Sequence, residues 1–182
     1  MAVVATLTER NRDFAAHRFA PGLSIMPTLR TIIIACVDPR VDPAHVLGLA
    51  VGEAVVLRNV GGRITPATAE SIALLGAIAR VDGGRPGPEW NLVVLQHTDC
   101  GIARLARFPA LLAGHFGVAT DELAAKAVAD PRAAVAVDVA ALRANSALPG
   151  DFLVSGLVYD VATGLLDTVV PLAPLRGEGA TV

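Results

Sequence analysis

Thr31-Ile32-Ile33-Ile34-Ala35-Cys36 is a continuous run dominated by β-branched residues. Six residues are too few for a core helix, and an unbroken apolar run of this kind reads as a strand buried on both faces. Similar runs follow at Ala54 to Leu57, Leu92 to Leu95, Leu153 to Val158 and Leu165 to Val170. Helical patterns separate them. Thr65-Pro66 supplies an N-cap and first-turn proline for a helix from Ala67 to Val81, which Asp82-Gly83-Gly84 stops. Asp121 to Ala129 and Pro131 to Ala144 predict two more, the second closed by Asn145-Ser146 and Pro149-Gly150. Strands alternating with helices imply an α/β fold: a mainly parallel central sheet flanked by helices. Tyr159-Asp160 through Thr163-Gly164 into Leu165 reads as a hairpin, so the C-terminal strand is expected to be antiparallel.

Residues 1–20 read as an N-terminal helical arm, with Leu7, Phe14, Ala15 and Phe19 near helical spacing among charges, broken by Pro21-Gly22. Arg85-Pro86-Gly87-Pro88 reads as an exposed loop rather than a boundary, so residues 1–182 are expected to form one domain with its arm. A chain of 182 residues can bury roughly 70% of its unfolded surface. The 53% hydrophobic and 18% charged composition excludes a disordered chain. Formal net charge is −2, which offers no field for gathering nucleic acid or an anionic membrane. Mean hydropathy is high at +0.56, yet the apolar runs fall far short of the roughly 20 residues a bilayer requires. Glu9, Arg10, Arg12 and Asp13 stand where a signal peptide needs an apolar stretch, so a cytoplasmic, reducing location is expected.

Chemistry concentrates where two strands leave the sheet, the edge at which open α/β sheets bind ligands. The first strand ends in Cys36-Val37-Asp38-Pro39-Arg40, the third in Gln96-His97-Thr98-Asp99-Cys100-Gly101. His97 and Cys100, separated by a short turn, can face one point, and Cys36 can add a third donor from the neighbouring strand. Three protein donors with an open fourth position is the pattern of a catalytic zinc. The plainer alternative is that both cysteines are small buried hydrophobes. Both cysteines of the chain and one of its four histidines fall at these strand ends; His17, His45 and His115 have no thiol in register. Asp38 and Arg40 can pair bidentately. Alone they form a loop-fixing salt bridge; beside a metal, Arg40 would keep the Asp38 carboxylate from taking the open coordination position.

Cys36-x-Asp38-x-Arg40-Val41, Arg58-Asn59-Val60-Gly61 and His97-x-x-Cys100-Gly101, in this order, resemble the β-class carbonic anhydrases. The resemblance runs from about Thr31 to Arg104, with Gly156 to Gly164 similar to the family's closing strand pair. It implies a zinc lyase that hydrates CO2 reversibly to bicarbonate through zinc-bound hydroxide, with one Zn2+ per chain. Carried over by position, Cys36, His97 and Cys100 are the implied zinc ligands and Asp38 and Arg40 the catalytic dyad. The backbone N–H of Gly101 is the implied donor to a substrate oxygen. The resemblance also implies a homodimer or higher homo-oligomer, with the arm packed on a partner subunit. Three positions depart from family patterns: Gln96 where many members have Gly, Pro27 where plant-like members have Gln, and Ile33 where bicarbonate-regulated members have Trp. Relatives on this scaffold hydrolyse carbonyl sulfide or carbon disulfide with the same constellation, which makes such a hydrolase the second expectation. A non-catalytic zinc- or anion-binding module is the third. A cysteine phosphatase would need Arg six residues after its Cys, where Asp42 and Ala106 stand, and a dithiol redox protein would need a Cys-x-x-Cys pair that the chain lacks.

Overall fold

A computed structural model describes residues 2–84 and 87–176. In chain order the elements are α1 (Val3–His17), β1 (Thr31–Cys36), α2 (Pro43–Val46), β2 (Ala54–Asn59), α3 (Pro66–Val81), β3 (Asn91–His97), α4 (Pro109–Phe116), α5 (Pro131–Ala144), β4 (Leu153–Tyr159) and β5 (Leu166–Pro174). Short 3-10 helices lie at Pro39–Val41, Gly101–Arg107 and Thr120–Lys126. The strands form one five-stranded sheet in the order β2-β1-β3-β4-β5. The first four run parallel and β5 returns antiparallel to β4, as the hairpin signal predicts.

Local chemistry starts α3 and α5 as expected. The Thr65 hydroxyl accepts from the Thr68 N–H ahead of α3. The Asp130 carboxylate accepts from Arg132 N and Ala133 N ahead of α5. Each helix carries Pro in its first turn, where no N–H is needed. The expected helix from Asp121 to Ala129 is instead the 3-10 helix Thr120–Lys126. Ala127 turns left-handed there (φ 49°), and the Lys126 carbonyl accepts from Arg63 Nη2 at 2.7 Å, so the chain bends away instead of winding on. Helix α4 went unsignalled by the periodicity. Of the expected loop at 85–88, Arg85 and Pro86 lie outside the described residues; Pro88 is exposed, whereas Gly87 is buried.

Strand β1 sits inside the sheet and alternates between two cores. Ile32 and Ile34 face the larger one, with Ile72 of α3, Val135, Val139 and Leu142 of α5, and Val154 of β4. Ile33 and Ala35 face the other way, under Val46, Leu47 and Leu49. Both faces of β1 are thus covered, which is why its sequence shows no polar alternation. A third cluster, Ile102, Leu112 and Phe116, links the Gly101–Arg107 helix to α4. Helix α1 stands apart: none of its residues is buried. Among the described residues no helix is long and apolar enough to cross a membrane.

Helix α5 rides closest on β4 at Gly156. A Cβ there would lie 2.2 Å from Val135 Cγ1 and 3.2 Å from Val170 Cβ, so only glycine lets the helix settle. Gly156→Ala is expected to lower unfolding stability by about 1–3 kcal/mol, the usual cost of overpacking. Guanidinium unfolding checks this, and an unchanged midpoint would mean α5 can shift freely.

Candidate active site

Parallel pairing brings the donors together. Ala35 of β1 is opposite Leu95 of β3, so the two strands leave the sheet side by side at Cys36 and His97. On the other flank Cys36 pairs with Asn59. Asn59 shapes the turn that follows: its Oδ1 accepts from Arg63 N, and its Nδ2 donates to Arg63 O and Thr68 Oγ1, all within 2.8 Å. Gly62 in this turn has φ +64°, and a Cβ on it would stand 2.8 Å from Cys36 N. The turn therefore lies against the backbone that carries the thiol. After β3, Asp99 takes a left-handed conformation (φ 52°) and turns the chain so that Cys100 faces back toward Cys36.

The result is a compact donor set. One ligand atom each from Cys36, His97 and Cys100 lies within 4.8 Å of the others, and the two Sγ atoms are 3.7 Å apart. His97 donates from Nδ1 to the Thr98 carbonyl at 2.8 Å, which leaves the lone pair on Nε2. That Nε2 is buried and has no hydrogen-bond partner among the described residues. The hydrogen bond with Cys100 pulls the Cys36 thiol down in pKa against its burial. The same bond, together with burial, pushes the Cys100 thiol up, because a second thiolate would face the first. Burial lowers the His97 imidazole, but the Cys36 sulfur and the Asp38 carboxylate outweigh it and the net shift is upward. Two sulfurs 3.7 Å apart beside a buried imidazole nitrogen that has no hydrogen-bond partner form a set that fits a thiophilic divalent metal. Such an ion supplies the positive charge that lets both thiols ionise.

Asp38 and Arg40 stand beside this set. Arg40 donates from Nε to Asp38 Oδ1 at 3.0 Å and from Nη2 to Oδ2 at 2.8 Å, a bidentate pair. These bonds hold the Asp38 carboxyl at about 2, well below the ordinary carboxylate value. Asp38 Oδ2 lies 3.9 Å from His97 Nε2. The other edge of Arg40 is taken by Asp99, through Oδ2 at 2.9 Å and the carbonyl at 3.0 Å. Gly101 opens a 3-10 helix and is exposed; a Cβ there would meet no heavy atom within 4 Å.

Three contributors are given no task by the motifs, although Arg58 lies within one of them. Asp99 and the Arg58 guanidinium bond residues of the Cys36–Asp42 loop. Gln96, where many family members have Gly, donates from Nε2 to the buried Asp138 at 2.8 Å. Asp138 also accepts from Arg63 Nε at 2.7 Å. Burial raises the Asp138 carboxyl and Arg63 opposes that rise.

A family model described as carbonic anhydrase matches residues 31–112. The chain is 30% identical over 176 residues to beta-carbonic anhydrase 1 of Mycobacterium tuberculosis, covering 94% of this chain and all of that protein. The carbonic anhydrase of Streptococcus mutans superposes with a TM-score of 0.71 at 30% identity, covering 93% of this chain and 98% of that one. A carbon disulfide hydrolase shares the fold, with a TM-score of 0.57 at 23% identity over 91% of this chain and 89% of that one.

Metal binding should follow the shared thiol proton. Affinity for zinc or cobalt(II) is expected to rise with pH from about 6 to 8, since binding must release that proton. Cys100→Ser should lose most of the metal. Stoichiometric metal in that variant by elemental analysis, or a pH-independent affinity by chelator competition, would contradict the donor set.

Proposed function

Because the chain belongs to the β-carbonic anhydrase family, we propose that it hydrates CO2 reversibly to bicarbonate at a zinc ion held by Cys36, His97 and Cys100. The observation that carries this reading is the buried, unpartnered His97 Nε2 facing two thiols, with an Arg-held carboxylate 3.9 Å away. Zinc bound there would bring the pKa of water toward about 7 and so supply a nucleophile at neutral pH.

The chain's own residues do the rest. Asp38, kept ionised by Arg40, would accept a hydrogen bond from the O–H of the attacking hydroxide and so aim an oxygen lone pair at the CO2 carbon. Arg40 occupies both Asp38 oxygens and keeps the carboxylate from becoming a fourth donor. Asp99 holds the far edge of Arg40, so the guanidinium cannot swing away. The Gly101 N–H donates to a substrate oxygen as charge develops on it, a role that suits the open space beside that glycine. Hydrolysis of carbonyl sulfide or carbon disulfide by the same residues is the second reading; likeness to the carbon disulfide hydrolase supports only the shared fold.

The test is stopped-flow turnover of the zinc-loaded protein on CO2, COS and CS2. CO2 should give the largest kcat/KM; a larger value for COS or CS2 would reverse the order, and zinc-loaded protein idle on all three would leave a binding module. In Arg40→Ala the freed carboxylate can join the donor set, so turnover at pH 7 should fall about 10- to 100-fold with zinc retained. A merely loop-fixing pair would instead lower Tm and leave activity per folded molecule intact.

We also infer a cytoplasmic homodimer or larger oligomer in which α1 packs on a partner. Helix α1 is 15 residues long and buries nothing on its own chain, and an isolated helix of that length is marginal in water. Val3, Val4, Leu7 and Phe19 are exposed. Deleting residues 2–20 should reduce both the mass in sedimentation and the turnover. A fully active monomer lacking the arm would refute its role.

A further inference from the structure

Arg58 belongs to one of the three motifs that carry the family resemblance, yet the chemistry proposed above gives it no task. It lies in β2 opposite Ala35, one residue before the end of the pairing with β1. From there its guanidinium crosses the end of β1 and meets three acceptors on the loop that follows. Nε donates to the Cys36 carbonyl at 2.9 Å, Nη2 to the Asp38 carbonyl at 2.8 Å, and Nη1 to Asp42 Oδ2 at 2.5 Å. The backbone is pinned beside it, with Val37 N donating to the Asn59 carbonyl at 2.9 Å.

We propose that Arg58 is a positioning residue: its planar fork fixes the Cys36–Asp42 loop, and so sets where the Cys36 sulfur and the Asp38 carboxylate stand relative to His97 and Cys100. This rests on the reading of those residues given above. Two carbonyls held in one rigid fork fix the Cys36–Val37 and Asp38–Pro39 peptide planes, and so restrain the directions in which the Cys36 and Asp38 side chains leave the chain. Asp42 ties the far end, since its other oxygen accepts from Ala44 N at 3.0 Å and caps α2. The loop is thereby fastened to β2 at its start and to α2 at its end. Lysine cannot replace this arrangement, because a point charge lacks the planar set of donors that reaches three acceptors together.

The experiment compares Arg58→Met and Arg58→Lys with Leu142→Ala, a buried α5 position in the main core that serves as a destabilised control. Cobalt(II) is loaded for its electronic spectrum and zinc for turnover, with metal content and Tm measured for each. In Arg58→Met kcat per bound metal should fall about 10- to 100-fold, with KM within about twofold and a shifted cobalt spectrum. Arg58→Lys, which keeps the charge beside Asp42, should recover Tm but neither kcat nor the spectrum. Leu142→Ala should lower Tm and leave both unchanged. A wild-type cobalt spectrum and kcat in either Arg58 variant would overturn the proposal. A wild-type protein that binds cobalt but turns over no CO2 would count against the assigned reaction alone, since the spectra still decide the role of Arg58.

Discussion

Cys36 and Cys100 hold their sulfurs 3.7 Å apart, and at that distance two thiolates cannot both persist without a cation between them. Much of the surrounding structure follows from meeting that constraint. The sulfurs come from segments 64 residues apart in sequence, so the sheet must place β1 and β3 side by side and in parallel. Gly62 must lack a side chain for the β2 turn to close on the Cys36 backbone. Asp99 must accept a left-handed φ so that Cys100 returns, and the Thr98 carbonyl must take the Nδ1 proton so that His97 offers Nε2. These are separate local choices that agree on one point in space.

A donor set short of positive charge also attracts any carboxylate nearby, and Asp38 is within reach. Its restraint is built from the same turn that supplies a donor. Arg40 grips both oxygens of Asp38, and Asp99, adjacent to Cys100, grips Arg40. A movement of the Asp99 turn would therefore disturb the donor geometry and the carboxylate's restraint together. Arg58 secures the opposite end, through the carbonyls of Cys36 and Asp38. The two segments of the site are thus cross-tied by arginines rather than held by their strands alone.

What could be read from the sequence divides along the range of the interactions involved. Buried β-branched runs such as Thr31 to Cys36 announce themselves because a parallel strand covered on both faces leaves a contiguous signal. Thr65-Pro66 marks α3 because capping is local. Cys36, His97 and Cys100 stand out because thiols are scarce in this chain, and one ends β1 while the other closely follows the end of β3. Other features leave no such trace. A 3-10 helix at Thr120–Lys126 has nearly the apolar spacing of an α-helix, and its end depends on Arg63, 63 residues away. Arg63 with Asp138, and Arg58 with the Cys36 carbonyl, are long-range polar pairs with no periodicity to betray them. Gln96 reads as a departure from the family pattern until Asp138 is seen to accept its amide proton.

Burial is graded across the site in a way that suits its division of labour. Arg63 and His97 are each 1% exposed, the Asp38 side chain 15% and the Arg40 side chain 47%. The innermost ion pair, Arg63 with Asp138, is weak evidence for stability, since apolar residues of similar volume often serve as well. Its value lies in direction. Asp138 on α5 fixes Gln96 beside His97, while Arg63 reaches Lys126 and stacks on Phe116, with its guanidinium carbon 4.9 Å from the ring centre. Helix α5, the β2 turn and the end of β3 are thereby referred to one buried carboxylate. Outward from this fixed layer come the three donors, then the carboxylate, then the solvent-facing arginine. A reaction that exchanges water, substrate and protons with solvent needs its donors immobile and its outer polar groups wet, and the gradient meets both requirements.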